Sequence, residues 1–124
     1  MCNFCHQNTW HNEIANFEHV PKIMTLLVNR FDPFNARRKN NIPFILEKHI
    51  RLNSSHYSLI ASIHHHSHGG CASSGHYTST IYYPNVIYHC SDSHIQVDKY
   101  KELSDNVYVV LYARDEETNN NILV

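Results

Sequence analysis

The residues best suited to chemistry are a histidine and a Ser-Asp pair that one short hairpin would bring together. His76 follows Gly75 and opens a segment in which aromatic and small polar residues alternate, as is typical of a strand. A predicted turn at Pro84 returns the chain to Ser91 and Asp92. A histidine held rigidly at the start of a strand can act as a general base, and a neighbouring side chain can fix its orientation.

Ser91 and Asp92 are alternative partners for that histidine. Successive residues of a strand point to opposite faces, so we expect only one of the two side chains to reach the ring of His76. An aspartate would supply negative charge to a protonated imidazole, whereas a serine could only form a hydrogen bond. The sequence leaves the choice between them open.

Cysteine and histidine residues suggest a second kind of chemistry. Cys2 and Cys5 have the spacing of a zinc-ligand pair, although structural zinc usually takes four ligands. The other thiols are Cys71 and Cys90, and the chain has 12 histidines, three of them in series at 64–66. If these three histidines lay in a strand, alternation between faces would let no more than two of them point the same way, which argues against a metal site. We therefore expect a solvated loop rich in imidazole groups.

Length and composition narrow the class of protein. The 124 residues fit one domain, and 42% hydrophobic residues are enough for a core. A net charge of −1 argues against nucleic acid or an anionic membrane surface as partner. No apolar run reaches the roughly 18 residues of a membrane span, and the polar N-terminus does not resemble a signal peptide. We therefore expect reduced thiols and a cytoplasmic or nuclear protein.

The elements that must position these residues are mostly strands. Nothing of useful length has helical periodicity, so the pattern predicts a mostly antiparallel sheet of about six strands. Residues 115–124 are acidic and rich in asparagine, and we expect them to form a disordered tail. The predicted strands are Ile23–Val28, Ile42–Leu52, Tyr57–Ile63, His76–Tyr83, Val86–Cys90 and Val107–Tyr112.

Six segments, taken in chain order, resemble motifs of one known family. They are Cys2–Cys5, Val20–Phe31, Tyr57–His65, Ser74–Ser79, Cys90–Ile95 and Val107–Arg114. Together they resemble the ubiquitin-specific proteases, which are papain-like cysteine deubiquitinases. The resemblance implies that residues 1–114 are the C-terminal part of such a catalytic domain, with 1–16 ending its zinc-binding fingers and 17–114 forming its palm sheet. The complete fold would be α+β, and its helical lobe has no counterpart in this chain.

The resemblance also implies an activity and the roles of several residues. The family hydrolyses the bond after the C-terminal glycine of ubiquitin, with a cysteine thiolate as nucleophile. His76 would be the general base and acid, and Ser91 or Asp92 would orient it. Gly75 and Tyr77 would line a narrow channel for the tail of ubiquitin. A loop at 66–74 would close over that tail.

The sequence departs from the family where the nucleophile is concerned. No segment resembles the family's Cys box, and neither Cys71 nor Cys90 matches its nucleophile. We therefore expect the isolated chain to be inactive, with ubiquitin, ubiquitinated proteins and the missing N-terminal half as partners. Catalysis would need no cofactor, and zinc would be structural, at the half-site of Cys2 and Cys5. Two alternatives are a non-catalytic ubiquitin-binding or scaffold pseudo-enzyme and a His/Cys metal-binding module.

Overall fold

The chain forms an antiparallel β-structure. A computed structural model describes residues 1–35 and 37–116, and within these ranges there are nine strands and no helix. No helix in this part of the chain is therefore long or apolar enough to cross a membrane. The strands are β1 Ile23–Leu27, β2 Phe44–Ile45, β3 His49–Leu52, β4 Ser55–Ser67, β5 Gly75–Tyr82, β6 Ile87–Ser91, β7 His94–Asp98, β8 Leu103–Ser104 and β9 Val107–Arg114.

One seven-stranded sheet is organised around β4, which at 13 residues is the longest strand. The strand order is β1-β9-β4-β5-β6-β7, and β3 pairs with the first residues of β4. Strands β2 and β8 form a separate two-stranded sheet. The second half of β4 pairs with β5, so the end of β4 lies directly beside the start of β5. His76 is the second residue of β5 and therefore lies beside the end of β4.

The hydrophobic core lies where β1, β4 and β9 pack together. Val107 and Val110 of β9 are completely buried, and β-branched residues suit such a central strand. Two buried tyrosines also satisfy their hydroxyl groups: Tyr57 donates to the carbonyl of Pro21 at 2.6 Å, and Tyr112 to that of Glu47 at 2.7 Å. Burial raises the pKa of Tyr112 to about 12.

A buried arginine fastens the segment after β1 to the start of β9. Arg30 donates its Nε proton to the carbonyl of Val107 at 2.6 Å. Its guanidinium also donates to Ile42 at 2.8 Å and to Ser104 at 3.1 Å, both through main-chain carbonyls. Charge-assisted hydrogen bonds of this kind hold irregular backbone in place without a regular strand.

The prediction of an antiparallel sheet with almost no helix is confirmed, but one predicted loop is wrong. The histidine series at 64–66 belongs to β4, which continues to Ser67 because it pairs with β5 on one side and, as far as His64, with β9 on the other. The loop therefore covers 68–74, not 66–74. Strands β7 and β8 were not predicted. The predicted disordered tail lies outside the described residues from 117 onward.

Candidate functional site

His76 lies at the start of β5, and both of its predicted partners lie near its ring. The Nε2 atom of His76 is 2.9 Å from Oγ of Ser91, which is hydrogen-bond distance. The same nitrogen is 4.0 Å from Oδ2 of Asp92. The hairpin of β5 and β6 produces this arrangement, since its register pairs Ser79 with Cys90 and so brings the start of β5 near the end of β6.

Of the two predicted partners, only Ser91 is hydrogen-bonded to His76, yet Asp92 also comes within 4.0 Å of the ring, and the backbone of Asp92 explains this approach. Ser91 is the last residue of β6, so Asp92 lies in the two-residue turn before β7. Its φ of 51° is in the left-handed region, which aspartate tolerates in turns. Alternation between faces no longer applies there, and the carboxylate comes to the same side as the serine hydroxyl.

The site of His76 is open to solvent. The side chain of His76 is 44% exposed and that of Asp92 is 81% exposed, so water screens their attraction. Within residues 1–35 and 37–116, nothing forms a hydrogen bond with the Nδ1 atom of His76. One ring nitrogen is thus held by Ser91, and the other, which has no partner among the described residues, could exchange a proton with a further group.

Neither internal thiol is hydrogen-bonded to His76 in the described part of the chain. Cys90 precedes Ser91 on β6 and therefore projects from the opposite face. Cys71 lies in the 68–74 loop with its sulfur 3.2 Å from Oγ of Ser73. Hydrogen bonds from Ser73 and then Ser74 lower the pKa of Cys71 to about 7, which makes this exposed thiol more acidic than usual.

Gly75 permits a close approach between β4 and β5. It has a φ of +147°, and a Cβ atom built on it would lie 2.2 Å from the carbonyl oxygen of His66. Tyr77 follows on the opposite face from His76, where its ring centroid is 4.8 Å from that of His65 and 6.4 Å from that of Tyr108. A ligand that contacts both Tyr77 and His76 must therefore pass the start of β5 at Gly75.

The sequence analysis missed the residues that surround Tyr77. Phe31, Tyr108 and the buried Lys39 line a small pocket with it. The amide of Lys39 donates to the carbonyl of Gly70 at 2.9 Å, and its ammonium donates to the carbonyl of His65. Lys39 therefore supports the 68–74 loop through its backbone amide and contacts β4 through its side chain. The only signal in the sequence was the aromatic side chain of Tyr108 within a buried strand.

Cys2 and Cys5 form a tight N-terminal turn. The amide of His6 donates to the carbonyl of Cys2 at 2.8 Å, and the amide of Cys2 donates to Gln7 at 2.8 Å. Backbone hydrogen bonds from Cys5 and Phe4 lower the pKa of the Cys2 thiol. Among the described residues, no group of three or more metal-binding side chains comes together. Within this part of the chain Cys2 and Cys5 are therefore only a pair of thiols, two fewer than the four ligands of a structural zinc site.

Comparison with known proteins places the chain in a family. Residues 2–112 match the family model described as ubiquitin carboxyl-terminal hydrolase. This match covers most of the chain, so the chain belongs to that family, and the resemblance found in the sequence is confirmed. No match was found among the curated proteins.

Two solved structures share the fold. An essential yeast splicing factor has a TM-score of 0.65 and 13% identity, covering 80% of this chain and 26% of that one. The SAGA Ubp8(S144N)/Sgf11(1-72, Delta-ZnF)/Sus1/Sgf73 DUB module has a TM-score of 0.62 and 17% identity, covering 78% and 24%. The chain thus spans about a quarter of each. The predicted fold class, an antiparallel sheet that is part of a papain-like α+β fold, is confirmed.

Proposed function

We propose that this chain is the histidine-bearing part of a thiol-dependent deubiquitinase, which hydrolyses bonds after the C-terminal glycine of ubiquitin. The observation that carries the proposal is the hydrogen-bonded pair of His76 and Ser91, with Asp92 at 4.0 Å, in a chain of the ubiquitin carboxyl-terminal hydrolase family. Ser91 orients the ring through Nε2. The Nδ1 atom then exchanges the proton with the nucleophile.

The proposed reaction follows from these positions. His76 takes the proton of a cysteine thiol, and the thiolate attacks the carbonyl carbon of the terminal glycine of ubiquitin. His76 gives that proton to the departing amine, which leaves a thioester. Water then attacks the thioester with His76 again as base, releasing the carboxylate and restoring the thiol. Asp92 stabilises the imidazolium form, weakly because it is exposed.

The nucleophile must come from outside this chain. Cys90 projects from the face of the sheet opposite His76, and Cys71 is hydrogen-bonded to Ser73 in the 68–74 loop. We propose that the isolated chain is inactive and pairs with a Cys-bearing N-terminal part of the catalytic domain. Its other partners are ubiquitin and ubiquitinated proteins, in the cytoplasm or nucleus, with no role for nucleic acid or a membrane.

A second candidate function is binding of ubiquitin without catalysis. It is favoured by the exposed aromatic surface of Phe31 and Tyr77, which are 49% and 55% exposed, on the face of the sheet opposite His76. Exposed aromatic side chains that lie together often mark a binding surface. A chain that supplies this surface but no nucleophile would act as a scaffold.

A ubiquitin carrying a C-terminal electrophile tests the proposal. The full chain is assayed alone and as a fusion behind the Cys-bearing segment of a family enzyme. We expect labelling of that segment's cysteine in the fusion, no labelling of the chain alone, and none in a fusion whose nucleophile is alanine. Labelling of Cys71 or Cys90 in the isolated chain would contradict the assignment. Ubiquitin binding by an unlabelled fusion would favour the scaffold function, and neither binding nor labelling would refute both.

We propose that Cys2 and Cys5 are half of a structural zinc site. Because two thiolates bind zinc more weakly than four, we expect the full chain, purified without a metal-affinity step, to hold much less than one zinc per chain. Addition of a second Cys-x-x-Cys peptide should raise cobalt affinity, as seen in the thiolate-to-cobalt absorption. The increase should disappear in Cys2→Ser and persist in the control Cys71→Ser. Tight, stoichiometric zinc in the chain alone would contradict a half-site.

A further inference from the structure

Asn106 is the centre of a side-chain network on the same face of the sheet as His76. It lies just before β9, and its Oδ1 atom is 3.0 Å from Nδ1 of His64. Its Nδ2 atom is 3.0 Å from Nδ1 of His66. His66 pairs directly with His76 across β4 and β5, so the two imidazoles are neighbours on that face. The network therefore extends to the edge of the candidate catalytic site.

The far nitrogens of both rings also have partners. Nε2 of His64 is 2.8 Å from Oγ of Ser62, whose oxygen is 3.0 Å from the hydroxyl of Tyr82. Nε2 of His66 is 2.9 Å from Oγ1 of Thr78. All four ring nitrogens are thus engaged, which leaves none free to bind a metal. The two rings border a cavity of about 430 Å³.

The chemistry of an amide constrains these two rings. An asparagine side chain has an acceptor end and a donor end, and here each end meets an Nδ1 atom. The ring that faces the oxygen must carry a proton on Nδ1, and the ring that faces the nitrogen must not. Rotating the amide by 180° would exchange which ring faces the oxygen and which faces the nitrogen, but the two rings would still hold opposite tautomers. Only the ring that faces the oxygen can become doubly protonated without loss of a hydrogen bond.

We propose that Asn106 couples His64 and His66, so that they hold opposite tautomers near neutral pH and together take up no more than one proton. The oxygen of Asn106 faces His64 and is also 3.0 Å from the hydroxyl of Ser104. His66, which neighbours His76, is therefore the ring that stays neutral. Asn106 acts as a positioning residue for both imidazoles.

The surroundings favour neutral rings. Burial is the main cause of the lowered pKa of His64 and of His66, and nearby positive groups add to it. A histidine whose pKa is lowered in the folded state contributes its full stability above about pH 6.5, the pKa of an unfolded histidine. This contribution is lost as the pH falls from about 6.5 through the pKa of the folded state. The titratable groups around the pair are His65 on β4, His76 and Tyr82 on β5, His89 on β6, Asp98 at the end of β7, Lys99 and Lys101 after β7, Asp105 before β9, and Lys39.

Long-range ¹H–¹⁵N NMR of the full chain tests this coupling. At pH 7.5 we expect a proton on Nδ1 of His64 and on Nε2 of His66. Asn106→Asp presents oxygen to both rings, so both should carry Nδ1 protons and titrate at least one pH unit higher, a roughly tenfold gain in proton affinity. The control Asn85→Asp adds the same charge at the far end of the hairpin and should change neither ring.

Two results would overturn the inference. Identical tautomers in the unmodified chain would contradict the rule directly, and this measurement stands even if Asn106→Asp does not fold. Unchanged titration of His64 and His66 in a folded Asn106→Asp chain would do the same. Because no measurement involves ubiquitin, failure of the proposed hydrolysis would leave these results intact.

Discussion

His76→Ala is expected to reduce hydrolysis of ubiquitin C-terminal amides by about 10²–10⁴-fold, the range typical of a general acid–base group. The assay uses the fusion in which a family segment supplies the nucleophilic cysteine. Alanine removes the ring that Ser91 holds at 2.9 Å, so the thiol has no base and the departing amine has no acid. KM should change little, because the aromatic surface around Tyr77 is on the other face of the sheet. The measurement is a steady-state comparison of kcat and KM.

The control His49→Ala replaces an exposed histidine on β3 and should leave the rate unchanged. In the same assay Ser91→Ala should slow the reaction by about fivefold, since a hydrogen bond of this type contributes about 1 kcal/mol. Asp92→Asn should have a smaller effect, because an ion pair at 4.0 Å with an 81% exposed carboxylate contributes only roughly a few tenths of a kcal/mol. A His76→Ala fusion that keeps a tenth or more of the activity would refute its role as base. A larger loss for Asp92→Asn than for Ser91→Ala would exchange the roles of the two partners.

The local part of the candidate site could be predicted from the sequence. Period-two alternation after Gly75 and the turn at Pro84 gave the hairpin, and the hairpin brings His76 to Ser91. The position of Asp92 could not be predicted in this way, because it depends on one left-handed residue in a turn between strands. Alternation describes a strand only as far as the strand continues, and β6 ends at Ser91.

Features that depend on contacts between residues far apart in the sequence could not be predicted from local sequence patterns. The histidine series at 64–66 looks like a polar loop by composition. It belongs instead to β4, which is central in the sheet because it pairs with β5 on one side and with β9 on the other. The contact of Asn106 with His64 and His66 joins residues about 40 positions apart, and no local spacing encodes it. The burial of Lys39 likewise follows from its contact with the 68–74 loop.

Gly75→Ala is expected to lower the free energy of unfolding by about 3 kcal/mol or more, measured by urea denaturation of the full chain. An unfavourable φ costs about 1–3 kcal/mol by itself, and the φ of Gly75 is +147°. The added methyl group would also overlap the carbonyl oxygen of His66 at 2.2 Å. That oxygen belongs to the backbone of β4, so it can move away only if β4 and β5 separate where Ser67 pairs with Gly75.

Gly70→Ala provides the matched control from the same loop region. Its φ of +74° carries a similar backbone cost of about 1–2 kcal/mol, but an added Cβ would meet nothing within 4 Å. The difference between the two losses in free energy of unfolding therefore measures the steric cost of adding a methyl group where β4 and β5 approach closely. Equal losses would show that the strands are not in contact at Gly75. A larger loss for Gly75→Ala would also predict a slower fusion enzyme under conditions where it remains folded, because separation of these strands moves His76 away from Ser91.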